Sequence, residues 1–215
     1  MNLQIALDRL TDEECMTILS ETNEYVDWIE IGTGVIKEYG MSIVRRVRDH
    51  YPDAVIVADM KTCDAGAHEA AQVFEAGADI TTVMAFAADQ TIKDMVQKAK
   101  ECSGRIMVDL LNVADSGRVT ELHTLGIDLV SLHFGKDMQQ NNEMDQSLFE
   151  LVKDSRHLEV AVAGGINLQS LPAILSHQPD TVIAGSAITK AKDHKEAAKK
   201  MKEVIQSYET NNTHR

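Results

Sequence analysis

Eight short apolar runs, each followed by a longer charged stretch of helical periodicity, constrain this chain more than any other feature of it. The runs are "LQIALD", "DWIEIG", "AVIVADMK", "DITTVMA", "RIMVDLLN", "DLVSLHFG", "EVAVAGGI" and "TVIAGSAI". They are rich in Ile, Val and small residues, as strands buried on both faces must be. Between them lie helix signals. Thr11 and Glu14 stand at capping-box spacing, and Ile92, Met95, Val96 and Ala99 recur on one face of "QTIKDMVQKAK" after Asp89. "EAGAD" and "TLGID" each place a glycine where a left-handed cap ends a helix. The last helix carries Ala198, Met201, Ile205 and Tyr208 as its apolar stripe.

Strands alternating with helices pair in parallel through right-handed crossovers. Eight such units within 215 residues predict a single-domain (β/α)8 TIM barrel over residues 1–208, followed by a polar, frayed tail at 209–215. An open doubly wound sheet is the alternative arrangement of the same units. Aromatic residues make up only 4% of the chain, against 44% apolar residues, so the core is expected to be aliphatic. No linker or shift in composition marks a second domain.

A formal charge of −13 argues against general nucleic-acid binding, which needs basic surface to displace counterions from phosphate. Cys15, Cys63 and Cys102 are odd in number and widely spaced, which suits reduced thiols rather than disulfides or a zinc site. No signal peptide or membrane span is legible. The expected location is the cytoplasm.

The third run ends in Asp59, Lys61 and Asp64. Residues two apart on a strand face the same way, so Asp59 and Lys61 share a face. Other runs end in Asp8, Glu30, Asp109 and His133. In a TIM barrel all these ends meet at one mouth, where the chemistry of such folds resides. Each residue alone has an ordinary explanation: Asp64 is equally placed to cap the next helix, and a lone His at a strand end is usually just hydrogen-bonded. Their convergence is harder to explain by packing, because buried unpaired charge is penalised. Two carboxylates about 5 Å apart repel by roughly 3 kcal/mol at an effective dielectric near 20. An all-oxygen acidic set therefore suggests Mg²⁺ or Mn²⁺. The competing reading is that one acid is protonated and Lys61 neutralises the rest.

The last two runs end in Gly164-Gly165 and Gly185-Ser186. Small residues let backbone N–H groups approach a phosphate, and the loops after strands seven and eight are where TIM barrels commonly hold one.

These blocks, in this order, resemble the orotidine-phosphate decarboxylase suprafamily over nearly the whole chain. Within it the match is nearest to the branches that hold the hexulose-phosphate synthases and the keto-gulonate-phosphate decarboxylases. "IEIGTG" followed by "ADMKTCDAG" carries most of the specificity. "VDLLN" resembles the synthase branch, since the decarboxylase branch has Glu at the position of Asp109. One block departs: "HFGKDMQ" has Phe134 and Lys136 where the synthases differ, and Lys136 stands where the decarboxylases have arginine.

The resemblance implies the following roles. Glu30 and Asp59 hold Mg²⁺; Asp8, Lys136, Gly164, Gly165, Gly185 and Ser186 position a phosphosugar; Lys61 stabilises an enediolate, His133 moves protons and Asp109 orients substrate. It also implies a homodimer with shared active sites, Asp64 working in the partner's site. The reaction is then condensation of D-ribulose 5-phosphate with formaldehyde, or decarboxylation through a similar enediolate. A non-catalytic phosphosugar-binding protein is the third possibility, against which the intact Asp59, Lys61 and His133 count.

Overall fold

The β-branched runs form eight strands that pair in parallel and in sequence order, β1 closing on β8. The computed structural model describes residues 1–135, 137 and 146–212. The strands are β1 (Asn2–Leu7), β2 (Trp28–Ile31), β3 (Val55–Thr62), β4 (Ile80–Met84), β5 (Arg105–Asp109), β6 (Leu129–His133), β7 (Glu159–Ala163) and β8 (Thr181–Ala184). Closure selects the barrel over the open sheet. The helices are α1 (Asp12–Thr22), α2 (Thr33–Tyr39), α3 (Met41–His50), α4 (Gly66–Glu75), α5 (Asp89–Cys102), α6 (Ser116–Thr124), α7 (Leu171–Leu175), α8 (Ser186–Thr189) and α9 (His194–Asn212).

Local signals account for many boundaries. Thr11 and Glu14 form the reciprocal capping box at the start of α1, Thr11 N–H donating to Glu14 and Glu14 N–H to Thr11. Gly77 and Gly126, with φ of 98° and 93°, make the left-handed turns that lead into β4 and β6. The stripe on α9 is buried at Ala198, Met201 and Ile205. That helix runs on to Asn212, so residues 209–212 continue it where a frayed tail was expected; residues 213–215 lie outside the described residues.

Alternation along the strands divides the core in two. Outward residues such as Leu3, Ile5, Ile29, Ile56, Val108 and Val182 pack under the helices in one large aliphatic cluster. Inward residues Val57, Ile80, Met107, Leu129, Ala161 and Ile183 form a second, separate cluster that plugs the barrel. On β2, β3, β5 and β6 the next inward position toward the C-terminal end is Glu30, Asp59, Asp109 and Ser131. The apolar plug is the floor on which the charged residues stand.

Candidate active site

Above that floor opens a cavity of about 550 Å³ at the C-terminal ends of the strands. It is lined by Asp8, Glu30, Asp59, Lys61, Asp109, His133, Gly164, Gly165, Gly185 and Ser186. Ten of the twelve residues singled out in the sequence therefore meet in one place. Asp64 is exposed on the rim and does not line the cavity of its own chain. It does not cap α4 either: Ala65 is the N-cap residue, in left-handed conformation with no side-chain cap bond. Lys136 lies outside the described residues.

Asp109 is the hub. Its side chain is only 3% exposed. One carboxylate oxygen, Oδ2, accepts from the Lys61 ammonium and lies 2.9 Å from His133 Nδ1. The other, Oδ1, accepts from Leu111 N–H at 2.8 Å. Burial by itself would raise this pKa, but the hydrogen bond and charge of His133, joined by Lys61, hold it down at about 2. Asp109 is therefore an acceptor only, so His133 must carry its proton on Nδ1. That leaves Nε2 as the basic nitrogen.

Lys61 also reaches Asp59 Oδ2 at 3.3 Å. Burial works to lower the Lys61 pKa, yet the charges of Asp59 and Asp109 raise it, so the group stays an ammonium. Asp59 is held by two threonines: Thr33 Oγ1 donates to Oδ2 at 2.7 Å and Thr82 Oγ1 to Oδ1 at 2.7 Å. Glu30 Oε2 accepts from Gln4 Nε2 at 2.5 Å. Burial, and then the charge of Asp59, push the Glu30 pKa up to about 8. Glu30 is thus disfavoured as an anion while Lys61 stays charged between its two aspartates.

The glycines differ in what they do. Gly164 has φ +124°, and a Cβ there would lie 2.4 Å from Phe134 O. Phe134, an unexpected residue in its block, is buried against that glycine. Gly164 is thus demanded by packing. Gly185 has φ −101° and ψ −98°, outside the regular helical and extended regions, while a Cβ would meet nothing closer than 3.6 Å. Sterics leave room for a side chain there; the irregular backbone is what a glycine accommodates most easily, and it leaves open space in the cavity wall.

Sequence reasoning passed over several residues here. Gln4 and Thr82 are buried on inward phases of β1 and β4; polar residues within otherwise apolar runs were the available signal. Arg9 in the loop after β1, Lys37 on α2 and Lys190 at the C-cap of α8 also line the cavity. Arg9 pairs with Asp8 at 3.3 Å, whereas Lys37 and Lys190 make no ion pair among the described residues.

A closed eightfold barrel with a lysine held between two aspartates at its mouth defines a class, and comparison with known proteins agrees with it. The model of the orotidine 5'-phosphate decarboxylase / HUMPS family matches residues 1–201, and the chain belongs to that family. A relative from Bacillus subtilis (strain 168), named 3-hexulose-6-phosphate synthase, is 38% identical and aligns over 95% of this chain and 99% of its own. The crystal structure of 3-hexulose-6-phosphate synthase from Salmonella typhimurium superposes with a TM-score of 0.94 at 35% identity, covering 97% of this chain and 100% of that one. The crystal structure of 3-keto-L-gulonate-6-phosphate decarboxylase from Vibrio cholerae gives 0.85 at 28% identity, covering 96% and 98%.

Proposed function

We propose that the chain is a 3-hexulose-6-phosphate synthase, joining D-ribulose 5-phosphate to formaldehyde through an enediolate. The observation that carries this reading is the arrangement about Asp109, which takes Lys61 and His133 on one oxygen. It fixes a base and a cation side by side. His133 Nε2 removes a proton from C1 of the phosphosugar, and the electron pair moves onto the adjacent carbonyl oxygen. The Lys61 ammonium stands beside the developing negative charge and lowers the barrier electrostatically. C1 of the enediolate then bonds to the formaldehyde carbon, and the formaldehyde oxygen takes the proton back from His133 Nε2–H. Atoms and charge balance, and His133 returns to its starting state. The presence of Asp109 rather than Glu favours addition over decarboxylation.

A divalent ion of the Mg²⁺ or Mn²⁺ type fits the acids present. Among the described residues no group of three His, Cys, Asp or Glu could hold a metal ion, so the protein offers two carboxylates, Glu30 and Asp59, with substrate and water oxygens to complete the shell. That division suits Mg²⁺, which keeps several non-protein ligands. Glu30, destabilised as an anion by its burial, is the group such an ion would relieve. When bound, the ion would supply Lewis-acid stabilisation of the enediolate. Backbone at Gly165, Gly185 and Ser186, with Asp8 across the mouth, would seat the phosphosugar.

Asp64, exposed and capping nothing, fits a role in the site of a second copy, with a cytoplasmic homodimer as the working unit. Among the described residues no helix is long and apolar enough to cross a membrane.

The paired assay decides between the two enediolate reactions: ribulose 5-phosphate with formaldehyde, and 3-keto-L-gulonate 6-phosphate alone. Condensation should have the larger kcat/KM, and should vanish in EDTA and return with Mg²⁺. A larger kcat/KM for CO₂ release reverses the assignment; full activity in chelator removes the metal. Mixing inactive Lys61→Ala and Asp64→Ala proteins should restore about a quarter of wild-type activity if the sites are shared across a two-fold axis. Activity that stays at the level of the separate variants after subunit exchange rules out sharing.

A further inference from the structure

β3 does not pair regularly with β4. Val57 and Ala58 lie opposite Ile80 and Thr81, yet Thr62 lies opposite Val83. From Ala58 to Thr62 the chain takes four steps while β4 takes two, so β3 carries two extra residues in a bulge. Lys61 sits inside it with φ +51°, a conformation that costs an ordinary residue free energy unless its surroundings hold it there. Bulges of this kind re-aim side chains and are common beside active sites.

Thr81 and Thr33 hydroxyls donate to the carbonyls of Ala58 and Asp59 in this segment, but its strained residue, Lys61, has its N–H held by one hydroxyl. Thr82 Oγ1 accepts from Lys61 N–H at 2.9 Å and donates to Asp59 Oδ1 at 2.7 Å. Thr82 is 4% exposed, so water does not readily replace either bond. Its acceptor side fixes the strained backbone of Lys61, and its donor side orients the carboxylate to which Lys61 is salt-bridged. One atom sets both ends of the pair. Among the described residues no other acceptor takes the Lys61 N–H, whereas Asp59 has a further donor in Thr33, close to both its carboxylate and its carbonyl.

We infer that Thr82 is a positioning residue whose hydroxyl locks the β3 bulge and thereby aims the Lys61 ammonium at the reacting oxygens. This rests on the enediolate reading for Lys61, and it adds a requirement that the reading does not contain. The acceptor can be a threonine or a serine, but not an isosteric hydrocarbon. Valine keeps the shape and the strand propensity of Thr82 while removing both hydrogen bonds.

The test compares Thr82→Val with Thr82→Ser. The valine variant should lose about 10- to 100-fold in kcat while KM for D-ribulose 5-phosphate stays within about twofold, because an interaction felt mainly in the transition state is lost. Solvent deuterium exchange at C1 should slow in step, and the serine variant should remain near wild type. In a ¹⁵N spectrum the Lys61 amide should move upfield and exchange faster in the valine variant only. A valine variant with wild-type kcat overturns the inference, as does a serine variant that falls as far as valine, since the methyl group would then be what matters. Should valine fail to fold, serine against Thr82→Ala makes the same comparison. If the wild type is itself inactive toward phosphosugars, the enediolate reading fails, and the Lys61 amide still reports whether the hydroxyl holds the bulge.

Discussion

The two ends of this barrel use the same residue types for opposite purposes. At the N-terminal end, Asp27, Asp79 and Asp180 stand one residue before β2, β4 and β8. Each turns a carboxylate oxygen onto a backbone N–H of the preceding strand: Leu3 at 2.7 Å, Ile56 at 2.7 Å and Val160 at 2.8 Å. Cations then neutralise two of them, Lys202 on Asp27 and Arg48 on Asp79. At the C-terminal end, Glu30, Asp59 and Asp109 share one ammonium between three carboxylates, each delivered by a different strand. Charges at the bottom are satisfied locally and staple the fold. Those at the mouth are under-compensated, which is costly in an isolated chain and useful only if something arrives to share them.

The sharpest way to break this comparison is Lys61→Met, which keeps the length of the side chain and discards its charge. Activity in the condensation assay should fall by about a thousandfold or more, since loss of a single preorganised electrostatic group costs roughly 10²–10³ and this one also orders Asp59 and Asp109. Equilibrium binding of the phosphosugar should survive. A variant retaining a tenth of wild-type kcat would mean that the mouth charge is structural, like the charge below.

Arg48→Ala asks the converse question at the other end. Arg48 donates to Gly77 O at 2.8 Å, to Pro52 O at 2.7 Å, to Ala54 O at 2.9 Å and to Asp79 at 2.6 Å. Removing it leaves several carbonyls and a carboxylate short of donors. We expect a loss of about 3 kcal/mol, or a melting temperature lower by about 6–12 °C for a chain of this size. The kcat at 25 °C should be unchanged. A drop in kcat without a drop in melting temperature would overturn the division of labour.

The pH dependence of stability sharpens the contrast within the mouth itself. Glu30 has a folded pKa raised to about 8 from an ordinary 4.5, so the native state holds this proton more tightly than the unfolded chain. The stability it contributes is fully present below about pH 4.5 and is lost as pH rises through 8. Asp109 behaves oppositely: with its pKa held at about 2, its contribution is present above about pH 4 and lost as pH falls through 2. Metal-free Glu30→Gln protein should therefore lack the decline seen in metal-free wild type between about pH 5 and 9, a difference of at least about 5 °C at the alkaline end. Parallel melting curves across that range would mean that Glu30 is not strained. Mg²⁺ should stabilise the wild type and not the variant.

Much of this contrast is legible in the amino-acid sequence. The eight runs gave strand order, and strand phase sent Asp59, Asp109 and Glu30 to a common face, because a period of two survives even in short strands. What could not be read was anything that depended on an irregularity. The bulge at Met60 and Lys61 leaves no mark in composition, and so Thr82, whose importance exists only because of it, looked like an ordinary strand threonine. Asp64 before a helix suggested a cap, yet the helix begins one residue later than a cap at Asp64 would need, with Ala65 in the left-handed region. Lys190, Lys37 and Arg9 are separated by many residues and converge only because β8, β1 and β2 are neighbours in the closed barrel.

Lys190 carries the smallest predicted effect and the last distinction between the ends. The chain has a net charge of −13, and Asp8, Glu30, Asp59 and Asp109 line the cavity, so a phosphosugar dianion approaches against an unfavourable field. The glycines and Ser186 that line the cavity after β7 and β8 carry no formal charge. Lys190 follows α8 directly, lines the same cavity and is not tied to any acid among the described residues. It is the cavity-lining cation nearest in sequence to Gly185 and Ser186, the proposed phosphate seat. Lys190→Gln should raise KM for the phosphosugar about tenfold, the equivalent of roughly 1.4 kcal/mol, with kcat held within a factor of two, because binding is lost equally from ground and transition states. Melting temperature should not change, in contrast to Arg48→Ala. The dependence of kcat/KM on ionic strength should also flatten, since one attractive charge at the mouth is gone. Arginine at the same position should preserve KM. If Lys190→Gln leaves both KM and the salt dependence at wild-type values, the phosphate is held by backbone alone, and the mouth has no electrostatic guide on its β8 side.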